Sequence, residues 1–338
     1  MSTHAIPGVP PATPAGVKPM LAGSRSNRDQ VILYLFVGVP FVGLFAAIWL
    51  AWQLAVGWTD LALLVAFYFI SCLGVTVGFH RYFTHGAFKA KRGLQVALAI
   101  AAMVATQGSL LNWVTDHRRH HSASDKEDDP HSPWLYGSGV WNLTKGLWHA
   151  HIGWLFGREF SNPEKYAPKL LNDRLLMRLS SLFPVWVGIG LLAPTLIGWL
   201  VGGTLWAAFT GFLWGGLVRI CVLHHVTWSI NSICHVRGKH PFKSGDHAGN
   251  VWWLAILSCG ESWHNMHHAV PSSARHGVLR WQFDISARVI WLFEKLGWAC
   301  DAQWPLAQTL RLRKERRGPH EVSRLRYMGC VEQWATYK

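Results

Sequence analysis

Four apolar runs constrain this chain more than any other feature. Residues 31–53, 61–79, 179–200 and 204–228 are each long enough to cross a bilayer as a helix. Backbone polar groups in hydrocarbon must be satisfied internally, so helices are expected, and Pro40 inside the first run is tolerable there. The links at 54–60 and at Val201-Gly202-Gly203 are short, so the runs pair as two hairpins. Charged residues make up only 15% of the chain, against about 25% in soluble domains. The expected fold is an all-α integral membrane protein with four transmembrane helices and a helical cap on the cytoplasmic side.

Loop charge gives the orientation. The links at 54–60 and 198–204 carry no Lys or Arg. Lys18, Arg25 and Arg28 precede the first run, six basic residues from Lys145 to Arg178 precede the third, and Arg311, Arg313, Lys314, Arg316 and Arg317 follow the last. The positive-inside rule places all of these, and both termini, in the cytoplasm, as in a multi-pass protein of the cytoplasmic membrane. A further apolar run at 94–111 would break this pattern if it crossed, so it is expected as a re-entrant or buried helix on the cytoplasmic side. Residues 1–30, rich in proline, are expected as a disordered tail without a cleaved signal peptide, 31–300 as the membrane domain, and 301–338 as a basic tail.

The net charge of +14 suits anionic headgroups, acidic redox partners or phosphate-bearing substrates. It does not suit nucleic acid, because the basic residues flank apolar runs and form no domain of their own. The six cysteines are scattered and are expected as buried free thiols.

The 19 histidines are clustered. His80 and His85 follow the second run. His117, His120 and His121 follow the 94–111 run. His235 follows the fourth run, with Asn231 four residues before it. His264, His267 and His268 come later. In an HxxHH pattern on a helix, three imidazoles share one face and can converge on one metal region. One such pattern arises readily by chance. Two copies, an HxxxxH and a helix-spaced Asn–His pair, all past the ends of runs, do not. Nine histidines fit two metals better than one, since a single zinc takes four ligands. Imidazole suits zinc, copper, iron and nickel alike. Asp116, Asp128, Asp129 and Glu261 lie near the clusters and could orient the rings. His149, His151, His224, His225, His240, His247 and His276 lack this spacing and are expected to be structural. A membrane zinc hydrolase would need a general base, as in HExxH, which the chain lacks. A metal or haem carrier, or a transporter, would place its histidines inside the spans.

The motifs HRYFTH, DHRRHH with Asp128-Asp129-Pro130-His131, NSICH and WHNMHH resemble, in order and distance, those of the membrane fatty-acid desaturase family, in its acyl-CoA/acyl-lipid delta-9 branch. Trp148 to Trp154 and Ser273 to Gly277 are similar to bacterial members, and the likeness covers roughly 74–298. The resemblance implies a di-iron centre held by the nine histidines, with a metal-bound water at Asn231. It implies an acyl tunnel bent at Gln107, Trp113 and Thr227. It also implies O2-dependent desaturation of a long fatty-acyl chain, with cis delta-9 and C16–C18 as the branch expectation. A di-iron hydroxylase on the same ligands is the alternative. No fused His-Pro-Gly-Gly haem motif is present. The implied electron donor is therefore separate, a ferredoxin or a flavin and iron–sulfur reductase. Gly86 and Met266 depart from common family residues at positions that are not ligands. Gly108 and Thr115 replace polar or basic CoA contacts, which leaves the carrier, CoA or lipid, open.

Overall fold

The computed structural model describes residues 18–53, 56–307 and 309–310. Four long apolar helices dominate it: α1 (Asn27–Trp52), α2 (Trp58–Thr84), α7 (Phe183–Gly202) and α8 (Leu205–His235). They form the two expected hairpins, but their bounds differ from the apolar runs in an informative way. At 1.5 Å per residue, α2 and α8 reach about 40 and 46 Å, against a hydrocarbon core of about 30 Å. Both therefore continue past the bilayer, and His80 and Asn231 ride on these extensions rather than on loops.

The cap is built from α3 (Arg92–Val104), α4 (Leu110–Ala123), α5 (Val140–His151), α6 (Arg174–Ser181), α9 (His264–Ala269) and α10 (Ile285–Lys295). The 94–111 run is no crossing: α3 has 13 residues, about 20 Å, and the chain breaks before α4. Two short ribbons fasten the cap. β1 (Leu21–Ser24) pairs with β3 (Glu159–Ser161), and β2 (Lys89–Ala90) pairs with β4 (Ala299–Cys300). The expected tail at 1–30 does not hold for residues 18–30. Its residues 18–30 include β1 and the start of α1, which is capped by Ser26 and Asp29 in a reciprocal box. Residues 1–17 and 311–338 lie outside the described residues.

Small residues set the helix spacing, as membrane packing favours. Gly198 and Gly202 of α7 face Ala207 and Gly211 of α8, and Gly203 closes the hairpin at φ 67°. On α2, Gly74 sits directly on the Ala101–Ala102 backbone of α3, and Gly78 would place a Cβ 2.9 Å from the Leu98 carbonyl. This contact seats the histidine-bearing end of α2 in the cap. Gly74→Val should therefore destabilise the protein by ~1–3 kcal/mol or more through overpacking. Gly38→Ala, with open space around it, should not. Thermal unfolding in detergent measures both.

Candidate metal centre

Each cluster owes its direction to local winding. His80 and His85 would point about 140° apart on an α-helix. Gly74–Thr84 is instead wound as a π-helix, and the His85 amide bonds the His80 carbonyl five residues back at 3.2 Å. That winding brings residues five apart toward one face.

The nine histidines fall into two groups. His80, His85, His117, His121 and His267 bring one ring nitrogen each within 4.8 Å of one another, as do His120, His235, His264 and His268. The HxxHH triplets do not converge on one region as expected. Positions i+3 and i+4 differ by about 100° around a helix, enough to feed two sites. On α4, positions i and i+4 (His117, His121) join the five-histidine group and His120 the other. On α9 the sharing is reversed: His264 and His268 join the four-histidine group and His267 the five.

Carboxylates fix the ring orientations. Nδ1 of His80 lies 2.5 Å from Glu261, that of His120 3.0 Å from Asp129, that of His235 3.0 Å from Asp125 and that of His268 2.6 Å from Asp246. A carboxylate only accepts, so these Nδ1 atoms carry the protons and the Nε2 atoms are bare lone pairs. Yet Nε2 of His235 and of His268 each face His264 Nε2 at 3.0 Å, and His80 Nε2 faces His267 Nε2 at 3.0 Å. A single N–H on His264 cannot satisfy two acceptors. A cation among them satisfies all, and ligands about 2.1 Å from one ion at right angles stand ~3 Å apart. Burial, and then the neighbouring imidazoles, push His117, His121, His264, His267 and His268 well below the usual histidine range. Neutral imidazole is the metal-binding form. The residues present fit two metal ions.

Of the four acids expected to orient rings, Asp129 and Glu261 do so. Burial alone would raise both carboxyls. His120 and His131 outweigh it at Asp129, and His80 and Arg81 at Glu261, so both stay well below the carboxylate range. Asp116 and Asp128 do not orient rings. Asp116 sits beside Ser161 on the cavity wall, and Asp128 is exposed, with only its backbone carbonyl engaged, by Arg119. Asp125 and Asp246 take those places. They sit in loops whose sequence has no periodic signal; only the nearness of Asp125 to His121 hinted at it. Asp246→Asn should weaken metal binding roughly 10–100-fold, the usual cost of losing such a partner. Asp128→Asn should leave it unchanged, and metal titration reads both.

Most of the unclustered histidines bond backbone or hydroxyl groups: His149 the Pro130 carbonyl, His151 Ser232, His224 the Thr106 carbonyl and His240 the His247 carbonyl. His276 differs. Fully buried, it lies 3.5 Å from Glu261, and its ring sits tilted at 4.6 Å from that of His267. Arg81, also fully buried, grips Glu261 and Asp284. Neither role was legible from spacing.

A cavity of about 320 Å³ runs beside the five-histidine group. Trp113 and Asn231 line it, and the Trp113 ring stacks on His117 at 4.9 Å. Gln107 Nε2 donates to Thr227 Oγ1 at 2.8 Å on its wall. Phe36, Phe183 and Trp228 supply apolar surface.

Four membrane-capable helices under a cap that gathers nine imidazoles into two ligand sets define a membrane protein of the histidine-box type. A sequence model of the fatty acid desaturase family matches residues 56–291. Among similar proteins, the hex-5-enoyl-[acyl-carrier protein] acetylenase of Moorena producens is 42% identical, over 83% of this chain and 88% of its own. Delta-9 acyl-lipid desaturase 1 of Arabidopsis thaliana is 37% identical, over 73% and 76%. The sn-1 stearoyl-lipid 9-desaturase of Anabaena variabilis is 33% identical, over 83% and 96%. The chain belongs to the fatty acid desaturase family, among its delta-9-like members, and is a multi-pass membrane oxidoreductase of fatty-acyl chains.

Proposed function

We propose that this enzyme introduces a cis double bond at carbon 9 of a C16–C18 acyl chain, using O2 and two irons held by the nine histidines. The observation that carries the reading is the apolar cavity passing Trp113 and Asn231 beside the five-histidine group. Held by the histidines, two irons would supply the oxidising power to remove two hydrogens from neighbouring unactivated methylenes; those two hydrogens, O2, two electrons from the donor and two protons make two waters.

The chain's own residues do the rest. Phe36, Phe183 and Trp228 exclude water from the chain. The Gln107–Thr227 bridge bends the cavity, so the acyl chain stops at one depth. Trp113 keeps His117 oriented through their stacked rings, and Asn231 would hold a water at the metal site. Asp125, Asp129, Asp246 and Glu261 keep Nδ1 protonated and Nε2 free to bind.

The metal centre faces the cytoplasm in this reading, with both termini on that side. Exposed Arg237, Lys239 and Lys243 lie on the segment joining His235 to Asp246. They suit an acidic electron donor, a ferredoxin or a flavin and iron–sulfur reductase. The acetylenase relative supports a second reading, removal of two hydrogens from a chain that already has a double bond.

The test is expression with a competent reductase in a host lacking its own desaturase, fed deuterated stearate, with double bonds located by mass spectrometry. A cis monoene at carbon 9 supports the proposal. A hydroxy acid overturns desaturation, and an alkyne formed only from a supplied enoic acid favours the second reading.

A further inference from the structure

The turn joining α3 to α4 takes a conformation that its sequence resists. Thr106 has φ 66° and is buried, and Gly108 follows at φ 110°. A left-handed backbone is costly for a β-branched residue, and such strain persists only where the surroundings impose it. Here one helix imposes it. Fully buried Arg219 of α8 donates Nη1 to the Val104 carbonyl at 2.7 Å and to Ser71 at 3.1 Å. Its Nη2 reaches the Gly190 carbonyl at 2.8 Å, and its Nε the Gly215 carbonyl at 3.1 Å. His224 Nε2 lies 2.7 Å from the Thr106 carbonyl, and a carbonyl only accepts, so that nitrogen carries the proton. The His224 ring is held by Phe36 at 6.0 Å and Trp228 at 4.9 Å. One residue past Thr106, Gln107 bonds Thr227 of the same helix. Three side chains of α8 thus grip positions 104, 106 and 107 in turn.

We infer that Arg219 and His224 are positioning residues that set where the double bond goes. They hold the strained turn, the turn holds Gln107 against Thr227, and that bridge fixes how deep a chain lies beside the histidines. This presupposes that the cavity takes an acyl chain. Without the hydrogen bond to Thr106, the turn relaxes toward negative φ, Gln107 leaves Thr227, and the chain slides by whole methylenes. A histidine that merely supported the fold would lower all products in proportion.

The test compares double-bond positions made from stearate by the full-length enzyme and two variants. His224→Phe keeps an aromatic ring between Phe36 and Trp228 but has no donor; His224→Gln keeps an N–H. For His224→Phe, the ratio of displaced to native double bonds should rise about tenfold, the change that ~1.4 kcal/mol between two registers gives. His224→Gln should keep the wild-type distribution. If His224→Phe does not accumulate in the membrane, His224→Met, also without a donor, is read in the same way. Unchanged positions in a donor-free variant, with the wild type making one isomer, overturn the clamp alone. A wild type that makes no double bond overturns the acyl reading and the clamp with it.

Discussion

His264→Ala and His267→Ala should each abolish turnover while the protein still inserts and folds. Both rings are buried, and in both Nδ1 has no hydrogen-bond partner, so neither substitution strands a carboxylate. What each removes is a lone pair aimed at its neighbours. His264 contributes to the four-histidine group and His267 to the five. Three ligands then remain in one case and four in the other, so metal loss should be greater for His264→Ala. Activity in membranes, with metal content of the purified variants, checks both parts. Near-normal turnover by either variant would remove that histidine from the centre.

Glu261→Ala should fail for a different reason and more completely. Glu261 lies between His80 and Arg81, and Arg81 is fully buried, with two ion contacts to Glu261 and two to Asp284. Removing the carboxylate leaves a buried guanidinium half-compensated, at a cost of about 3–5 kcal/mol, a large part of a net stability of about 5–15 kcal/mol. His80 also loses the group that fixes its ring. Folded protein should fall sharply, as fluorescence-detected size exclusion would show. Glu261→Gln keeps the shape without the charge. It should accumulate better and bind metal roughly 10–100-fold more weakly. Full recovery of metal affinity in Glu261→Gln would show that the charge on Glu261 is unimportant to the site.

Hydropathy and loop charge were enough to place four helices in two hairpins, because bilayer thickness and backbone hydrogen bonding leave few options. The ligand candidates were legible for a similar reason, since metal binding needs several imidazoles together and such clusters rarely arise by chance. Their division was not. HxxHH fixes angles around a helix, but which ring meets which partner depends on how α4 and α9 cross, a tertiary fact. His80 and His85 come together only through π-helical winding, which a five-residue gap hints at without establishing. Asp125 and Asp246 escaped notice because loop residues reach the rings by folding back, whereas Asp116 and Asp128 were nearby in sequence but directed elsewhere. Spacing and hydropathy give Arg81 and Arg219 no distinct signal. Each proves to be a fully buried cation surrounded by carbonyls or carboxylates.

We propose that these nine histidines hold two irons. Metal analysis of the purified full-length protein, joined to iron-57 Mössbauer spectroscopy, tests it most directly. Two irons per chain are expected, in nitrogen-rich sites that respond together to reduction and O2. A single zinc per chain, or full turnover after all iron is removed, would contradict it.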